Sequence, residues 1–230
     1  MSSPEDTNGA TMSKTRTTLF QAILATLMLT LVCQADPSSG ALAVLENHRK
    51  AKEKLEDLQA KVALQLDLVL GILPYTEKLT GQYYYKHPNK HKVKLNDPPA
   101  YLDDAPSLFD WKLPNLEKYS VKKGPTLTRG TATHHTLLYT PKNPGSNTRT
   151  IKCTFEEGNW RLIAQDTSYQ DGGAVNLRFF YLDDSELPVL DKVKASVSIP
   201  SYKLTGEAKI DFSSQQTNQG LEDSLFAKSK

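Results

Sequence analysis

Residues 62–72 read VALQLDLVLGI, and an aliphatic side chain occupies every second position from Val62 to Ile72. Alternating side chains point to opposite faces of a β-strand, so one face of this segment is apolar and the other is mostly polar. A strand of this kind is typical of an antiparallel sheet whose apolar side is covered by other elements. The stretch therefore predicts a sheet with one face turned toward an interior.

The segments around this strand extend the same architecture. Residues 41–61 combine apolar residues at helical spacing with a charged opposite face, which predicts an amphipathic helix. A short helix is predicted at 107–118, and further strands at 79–86, 90–96, 118–123, 133–140, 148–156, 160–169, 174–182, 192–199 and 202–212. The predicted fold class is α+β: a curved antiparallel β half-barrel of about eight to eleven strands, lidded by two or three helices.

The N-terminus has the layout of a secretory signal. Lys14 and Arg16 precede an apolar run that ends near Ala35, a small residue suited to cleavage. We expect residues 1–35 to be a signal peptide with its true start at Met12. A signal of this type predicts an exported protein, and the family resemblance given below implies that the compartment is the periplasm.

Cys33 leaves a second interpretation of this segment open, in which the cysteine carries a lipid. A lipid-modified cysteine follows a small residue, whereas Val32 stands before this one. Behind the signal we expect a single domain at 36–212 and a loose polar tail at 213–230.

Charge and cysteine usage narrow the function classes. The 28 basic and 26 acidic residues nearly cancel, so no nucleic acid is expected as a partner, because polyanion binding requires a basic face. If cleavage follows Ala35, Cys153 is the only cysteine left, and we expect it to be a small buried apolar residue in a strand. The mature domain is then held together by its core alone.

The chain lacks the sequence patterns of common catalytic and cofactor sites. It has no G-x-S-x-G, G-x-G-x-x-G, H-E-x-x-H or C-x-x-C motif, so no catalytic residue and no cofactor is predicted. Pro88 separates His87 from His91, and His134 and His135 point to opposite faces of a strand, so no metal site is predicted. The acidic pairs Asp103-Asp104 and Asp183-Asp184 are interpreted as solvated loop charge.

The apolar stripes of the strands are the candidate binding site. They form either a solid core or the lining of a cavity for a lipid, and the residues alone leave both interpretations open. A dry cavity binds an acyl chain without polar contacts, because each methylene removed from water contributes about 0.8 kcal/mol. The predicted lining residues are Leu64, Leu66, Leu68, Leu70, Tyr83, Tyr85, Val93, Leu95, Phe155, Leu177, Phe179 and Val197.

Three stretches in order carry a resemblance to a known family. They read GQYYYKHPNK at 81–90, LYTPK at 138–142 and YQDGG at 169–173. With the helix and long strand before them, they make the chain similar to the LolA-like periplasmic outer-membrane lipoprotein carriers over residues 41–212. The resemblance implies an unclosed barrel, lidded by helices, that holds acyl chains of a lipoprotein in transit between membranes.

The resemblance also implies roles for one residue and for partners. His87 stands where the family has an arginine that holds the lid, so we expect a lid contact from His87 whose strength depends on pH. An acylated lipoprotein or another lipid is the expected cargo, with membrane-bound donor and acceptor proteins as further partners. A lipid-sensing or partner-binding module on the same fold is the alternative function, and an enzyme acting on an apolar substrate ranks last.

Overall fold

The computed structural model describes residues 37–99, 112–183 and 185–227. Within these residues the α-helix α1 (Pro37–Glu53) precedes ten β-strands. The strands are β1 (Asp57–Leu70), β2 (Leu73–Lys86), β3 (Lys90–Leu95), β4 (Tyr119–Arg129), β5 (Ala132–Pro141), β6 (Thr148–Glu156), β7 (Leu162–Tyr169), β8 (Ala174–Tyr181), β9 (Leu190–Ile199) and β10 (Leu204–Thr217). Short 3-10 helices follow β9 at Pro200–Tyr202 and β10 at Asp223–Phe226.

The ten strands form one antiparallel sheet. Their order is β3-β2-β1-β10-β9-β8-β7-β6-β5-β4, so each strand pairs with its neighbour in sequence except that β1 pairs with β10. β3 and β4 are the two edges of the sheet, which is therefore open. The predicted antiparallel sheet and its number of strands are confirmed.

The register places the apolar positions of neighbouring strands on one face. Leu64 lies opposite Leu79 of β2 and Ile210 of β10, and Ile210 lies opposite Val193 of β9. All four side chains are buried. The other face carries ion pairs between neighbouring strands. In one of them the Nη1 of Arg178 lies 2.5 Å from the Oδ1 of Asp166.

The sheet is strongly curved toward its apolar face. A single cavity is lined by His91 of β3 and by Leu162 of β7. Six inter-strand steps separate these strands, which would span about 29 Å in a flat sheet at the usual strand spacing. Curling of the sheet brings them to one cavity, and this face is called the concave face below.

The helix α1 rests on the concave face by a narrow apolar stripe. Ala41 and Val44 are fully buried, and His48 is 8% exposed. On the opposite side Arg49 forms ion pairs with Glu46 and Glu53, at the spacings that stabilise an exposed helix face. The predicted amphipathic helix is therefore confirmed in character, with different bounds.

Two helix predictions differ from the structure. The first helix ends at Glu53 and not at residue 61, because the period-two pattern of Leu58, Ala60 and Val62 already belongs to β1. The described part of the second, residues 112–118, contains only irregular chain and a turn, as Pro114 disfavours a helix before it. Among the described residues there is thus one α-helix and not the two or three that were expected.

Two strands that contain proline are longer than predicted. β2 begins at Leu73 and includes Pro74, whose partner is Val69 of β1. β4 extends to Arg129 through Pro125, where its pairing with β5 is irregular. Both prolines lie where one side of the strand has no neighbour, so the missing N–H breaks no ladder bond.

The predicted polar tail, residues 213–230, begins inside β10, which continues to Thr217. The following residues bind to the start of β1: the buried carboxylate of Asp57 accepts hydrogen bonds from the backbone N–H groups of Gln219 at 2.9 Å, Gly220 at 2.7 Å and Leu221 at 2.9 Å. Burial alone would raise the pKa of Asp57, but these bonds and Lys86 lower it overall.

Beyond Leu221, the tail also contacts β2 and β3. The Nζ atoms of Lys86 and Lys90 each lie 2.8 Å from a carboxylate oxygen of Asp223. The Nζ of Lys92 donates to the carbonyl of Leu225 at 2.6 Å. The described part of the tail is therefore attached to the edge of the sheet, through contacts that its polar composition does not reveal.

Cys153 is fully buried in β6, as predicted, and lies on the concave face. Burial raises the pKa of its thiol to about 12, so it stays protonated and unreactive near neutral pH. The predicted signal segment lies outside the described residues. Among the described residues, none of the helices combines the length and apolar character needed to cross a lipid bilayer.

Candidate functional site

The twelve predicted lining residues all lie on the concave face by their register. They differ in exposure along the strands. Leu64, Leu66, Tyr83, Tyr85, Phe155 and Phe179 are buried. Leu68, Val93, Leu95, Leu177 and Val197 are half-buried, and Leu70 is 56% exposed.

This difference divides the concave face into two zones. In the covered zone α1 lies over the sheet, and the ring centroids of His48 and Phe155 are 5.1 Å apart. In the open zone, which contains Leu68, Leu70, Leu177 and Val197, apolar side chains keep contact with solvent. Lipid binding by either zone remains a prediction.

The covered zone is not completely filled. A cavity of about 90 Å³ remains between α1 and the sheet. Three of the predicted residues, Tyr83, Tyr85 and Phe179, line it. Leu55, Leu58, Leu162, Tyr181 and Leu190 complete most of the apolar wall.

Four polar residues line the same cavity: His48, Lys52, His91 and Arg161. Lys52 places its Nζ 5.7 Å from the centroid of the Tyr85 ring. The Nδ1 of His91 is hydrogen-bonded to the hydroxyl of Tyr83 at 2.8 Å. None of the lining residues is acidic, so the cavity is apolar with positive charge at its border.

His48 links α1 to the turn between β6 and β7. Its Nδ1 donates to the carbonyl of Trp160 at 2.8 Å. Burial lowers the pKa of His48 to about 4, against the raising effect of this hydrogen bond, and Lys52 lowers it further. The imidazole is therefore neutral near pH 7 and positions the helix rather than carrying charge.

Arg161 is the most deeply buried cation of the site, with 8% exposure. Its Nη2 donates to the carbonyls of Ser185 and Leu187, the latter at 3.0 Å. The guanidinium also lies 5.2 Å from the centroid of the Tyr181 ring, and the Tyr181 hydroxyl donates to Leu162 at 2.8 Å. Its backbone position after a turn gave no sequence signal that it would face the cavity.

A larger groove of about 570 Å³ lies on the other side of α1. It is bounded by α1, by the turn at 87–89, by residues 112–116 and by Tyr139. The Nδ1 of His87 and the hydroxyl of Tyr139 are buried there without a hydrogen-bond partner among the described residues. His87 is thus near the helix that covers the sheet, while its predicted lid contact stays a prediction.

Of the two remaining histidines, His135 has local partners. His135 stacks on Trp160 with ring centroids 5.2 Å apart, and it pairs in register with Phe155 on the concave face. Within the described part of the chain, no three histidine, cysteine or acidic side chains gather as a metal site would require.

Sequence patterns identified the sheet face but not the cavity. Tyr181 shares the strand periodicity of Leu177 and Phe179, so that signal was available, whereas Leu162 reaches this face through a shift of register between β6 and β7. His48 follows Ala41 and Val44 at helical spacing, so its place on the buried stripe of α1 is local, but its position at the cavity depends on how α1 packs. Arg161 reaches the site only through the packing of the segment 185–189, which no local pattern encodes.

No protein-family model matches the sequence, and no curated protein matches it. Solved structures do match the fold. A DUF1329 family protein from Desulfovibrio piger is 12% identical, with a TM-score of 0.61 and coverage of 84% of this chain and 98% of that chain. A putative outer membrane lipoprotein-sorting protein domain from Vibrio parahaemolyticus is 13% identical, with a TM-score of 0.57 and coverage of 80% and 95%.

A LolA superfamily protein from Nitrosomonas europaea is 11% identical, with a TM-score of 0.53 and coverage of 82% of this chain and 97% of that chain. These likenesses cover 80% to 84% of the chain, in agreement with the resemblance carried by the three sequence stretches. The protein therefore has the LolA-like fold.

Proposed function

We propose that this protein is an exported carrier that shields the acyl chains of a lipid or lipoprotein against its concave face in the periplasm, without catalysing a reaction. The open zone is the observation that carries the proposal. A sheet that served only as a core would bury Leu68, Leu177 and Val197, whereas all three remain half-exposed. Apolar side chains on a concave surface are suited to a chain-like apolar ligand.

The covered zone extends this surface when α1 moves. Its cavity of about 90 Å³ is smaller than the roughly 300–1,000 Å³ usual for ligand pockets, and we therefore interpret it as the closed form of the site. On the helix side, lifting α1 exposes Ala41 and Val44 and breaks the His48 hydrogen bond, at about 5 kcal/mol, while the bound chain covers the sheet face that α1 leaves. A twelve-carbon chain gains up to about 9 kcal/mol on leaving water, which is enough to offset this.

The fold supports acyl chains as the cargo. One solved structure with this fold is described as a putative outer membrane lipoprotein-sorting protein domain. The N-terminal pattern of basic, apolar and small residues in 1–35 supports export to the periplasm. A carrier of this kind also requires a donor protein and an acceptor protein at the two membranes.

The experiment uses two neighbouring residues of β9 that face opposite ways. Val197 lies on the concave face, and Ser198 is exposed on the other face. We expect the protein to bind a fluorescent acyl probe saturably, and Val197→Asp to weaken this binding about tenfold or more, because a carboxylate in the open zone is desolvated by the chain.

Ser198→Asp is the matched control and is expected to bind the probe like the wild type. Thermal unfolding establishes that both variants are folded. Equal binding by the two variants, or no saturable binding by the wild type, would contradict the proposal. A stable protein complex formed without a bound acyl species would instead favour the sensing module.

A further inference from the structure

The cavity beneath α1 is lined by a buried cation, Arg161, that forms no ion pair with a carboxylate of the described residues. Arg161 is 8% exposed, and the only described hydrogen bonds of its side chain run from Nη2 to two carbonyls of the segment 185–187. A guanidinium has five N–H donors, so Nε and Nη1 retain donor capacity at the cavity.

The surroundings strengthen the positive potential at this position. Lys52 also lines the cavity, and the lining residues include no acidic side chain. The other wall is apolar, which lowers the local dielectric and lengthens the reach of both charges. Buried charges in proteins are normally paired, so an arrangement of this kind is suited to a ligand that supplies the anion.

We propose that Arg161 binds the anionic head group of a single-chain amphiphile, whose acyl chain lies along the concave face. This inference rests on the proposed function and names its ligand class. The planar guanidinium forms paired hydrogen bonds with two oxygens of a carboxylate or a phosphate. The cavity of about 90 Å³ admits such a head group, while the chain extends past Tyr83 and Phe179 as α1 moves.

The cation-π contact with Tyr181 holds the guanidinium in place for this role. Its plane is fixed by the ring at 5.2 Å on one side and by the bonds to the segment 185–187. A positioned guanidinium loses little side-chain entropy on binding an anion, so the head group is expected to contribute strongly to affinity.

The test compares three twelve-carbon ligands on the full protein: dodecanoate, dodecyl phosphate and the neutral dodecanol. Titration calorimetry at pH 7.4 measures each dissociation constant. We expect the wild type to bind at least one anion about tenfold or more tightly than dodecanol, since hydrogen bonds to charged groups are the stronger ones. The tighter of the two anions identifies the head group as carboxylate or phosphate.

Arg161→Met is expected to remove this preference and to leave dodecanol binding within about twofold of the wild-type value. Arg178→Met is the matched control, because Arg178 is an exposed arginine on the opposite face that pairs with Asp166. Arg161→Lys keeps the charge without the paired donors and is expected to retain part of the preference.

Equal affinity of the wild type for all three ligands would overturn the role of Arg161 while leaving acyl binding intact. Failure of every ligand to bind would overturn the proposed function itself. Should Arg161→Met not fold, the comparison of ligands on the wild type and on Arg161→Lys still decides the question.

Discussion

At the residue scale, the contact that fixes α1 is made by a titratable side chain. His48 is 8% exposed, donates to the carbonyl of Trp160 at 2.8 Å and meets the ring of Phe155. Its neighbour Lys52 disfavours protonation, as does burial. A proton on His48 would therefore weaken the closure of the covered zone.

The stability of the protein is expected to fall between pH 6.5 and pH 4 because of His48. Its pKa is about 6.5 in the unfolded chain and about 4 in the folded protein, so the unfolded chain takes up the proton first as pH falls. The free energy of unfolding then decreases by up to about 3 kcal/mol across this interval. Urea unfolding at a series of pH values measures the slope.

His48→Gln is expected to flatten that slope, since glutamine does not titrate, whereas His134→Gln keeps His48 and should preserve it. The carboxylates contribute equally to all three proteins, so the difference between curves isolates the imidazole. Identical slopes in the wild type and His48→Gln would contradict this role of His48.

At the scale of elements, the pairing of β2 with the edge strand β3 depends on a glycine. Gly81 lies opposite Leu95 on the concave face and is buried. A Cβ atom at this position would lie 2.2 Å from the carbonyl oxygen of Lys94 and 2.9 Å from the Cα of Leu95. The obstacle is backbone, so β3 itself would have to move.

We expect Gly81→Ala to destabilise the protein by about 1–3 kcal/mol, the usual effect of overpacking. Chemical denaturation monitored by circular dichroism measures the change. Gly145→Ala is the control, because its added Cβ would meet only a side-chain oxygen of Asn143 at 3.4 Å in an exposed turn. A Gly81→Ala protein as stable as this control would show that β3 yields freely.

At the scale of the whole molecule, the first and the last strand of the chain pair with each other inside the sheet. β1 and β10 pair from Leu58 to Leu70, and the segment after β10 binds the carboxylate of Asp57. All the strands between β1 and β10 in the chain lie on one side or the other of this pair. The two parts of the sheet, β3-β2-β1 and β10 to β4, are therefore joined only when strands far apart in the chain meet.

Hydrogen exchange is expected to reveal this arrangement. Amides of β1 and β10, which have partners on both sides, should exchange most slowly, and those of 126–129 in the edge strand β4 most quickly among the strands. Mass spectrometry of peptides after timed labelling measures the order. Protection of β4 equal to that of β10 would contradict an exposed edge at this end of the sheet.

Local sequence predicted most of the strands because the alternation of apolar and polar side chains lies within each strand. The alternation in β1, and in Val175, Leu177, Phe179 and Tyr181 of β8, states directly which side chains share a face. It fails where a proline interrupts it, as at Pro74 and Pro125, because an edge position tolerates the loss of an N–H that a central position does not. It also fails at 57–61, where apolar spacing fits a helix and a strand alike.

The amino-acid sequence by itself determined the antiparallel sheet, its apolar face and the amphipathic character of α1, because side-chain periodicity follows from backbone geometry within each element. Only the tertiary structure decided that β10 joins β1, that α1 covers one zone of the concave face, and that His48 and Arg161 border the cavity. Those features depend on contacts between residues far apart in the chain, and no repeating pattern of apolar and polar residues records such a distance.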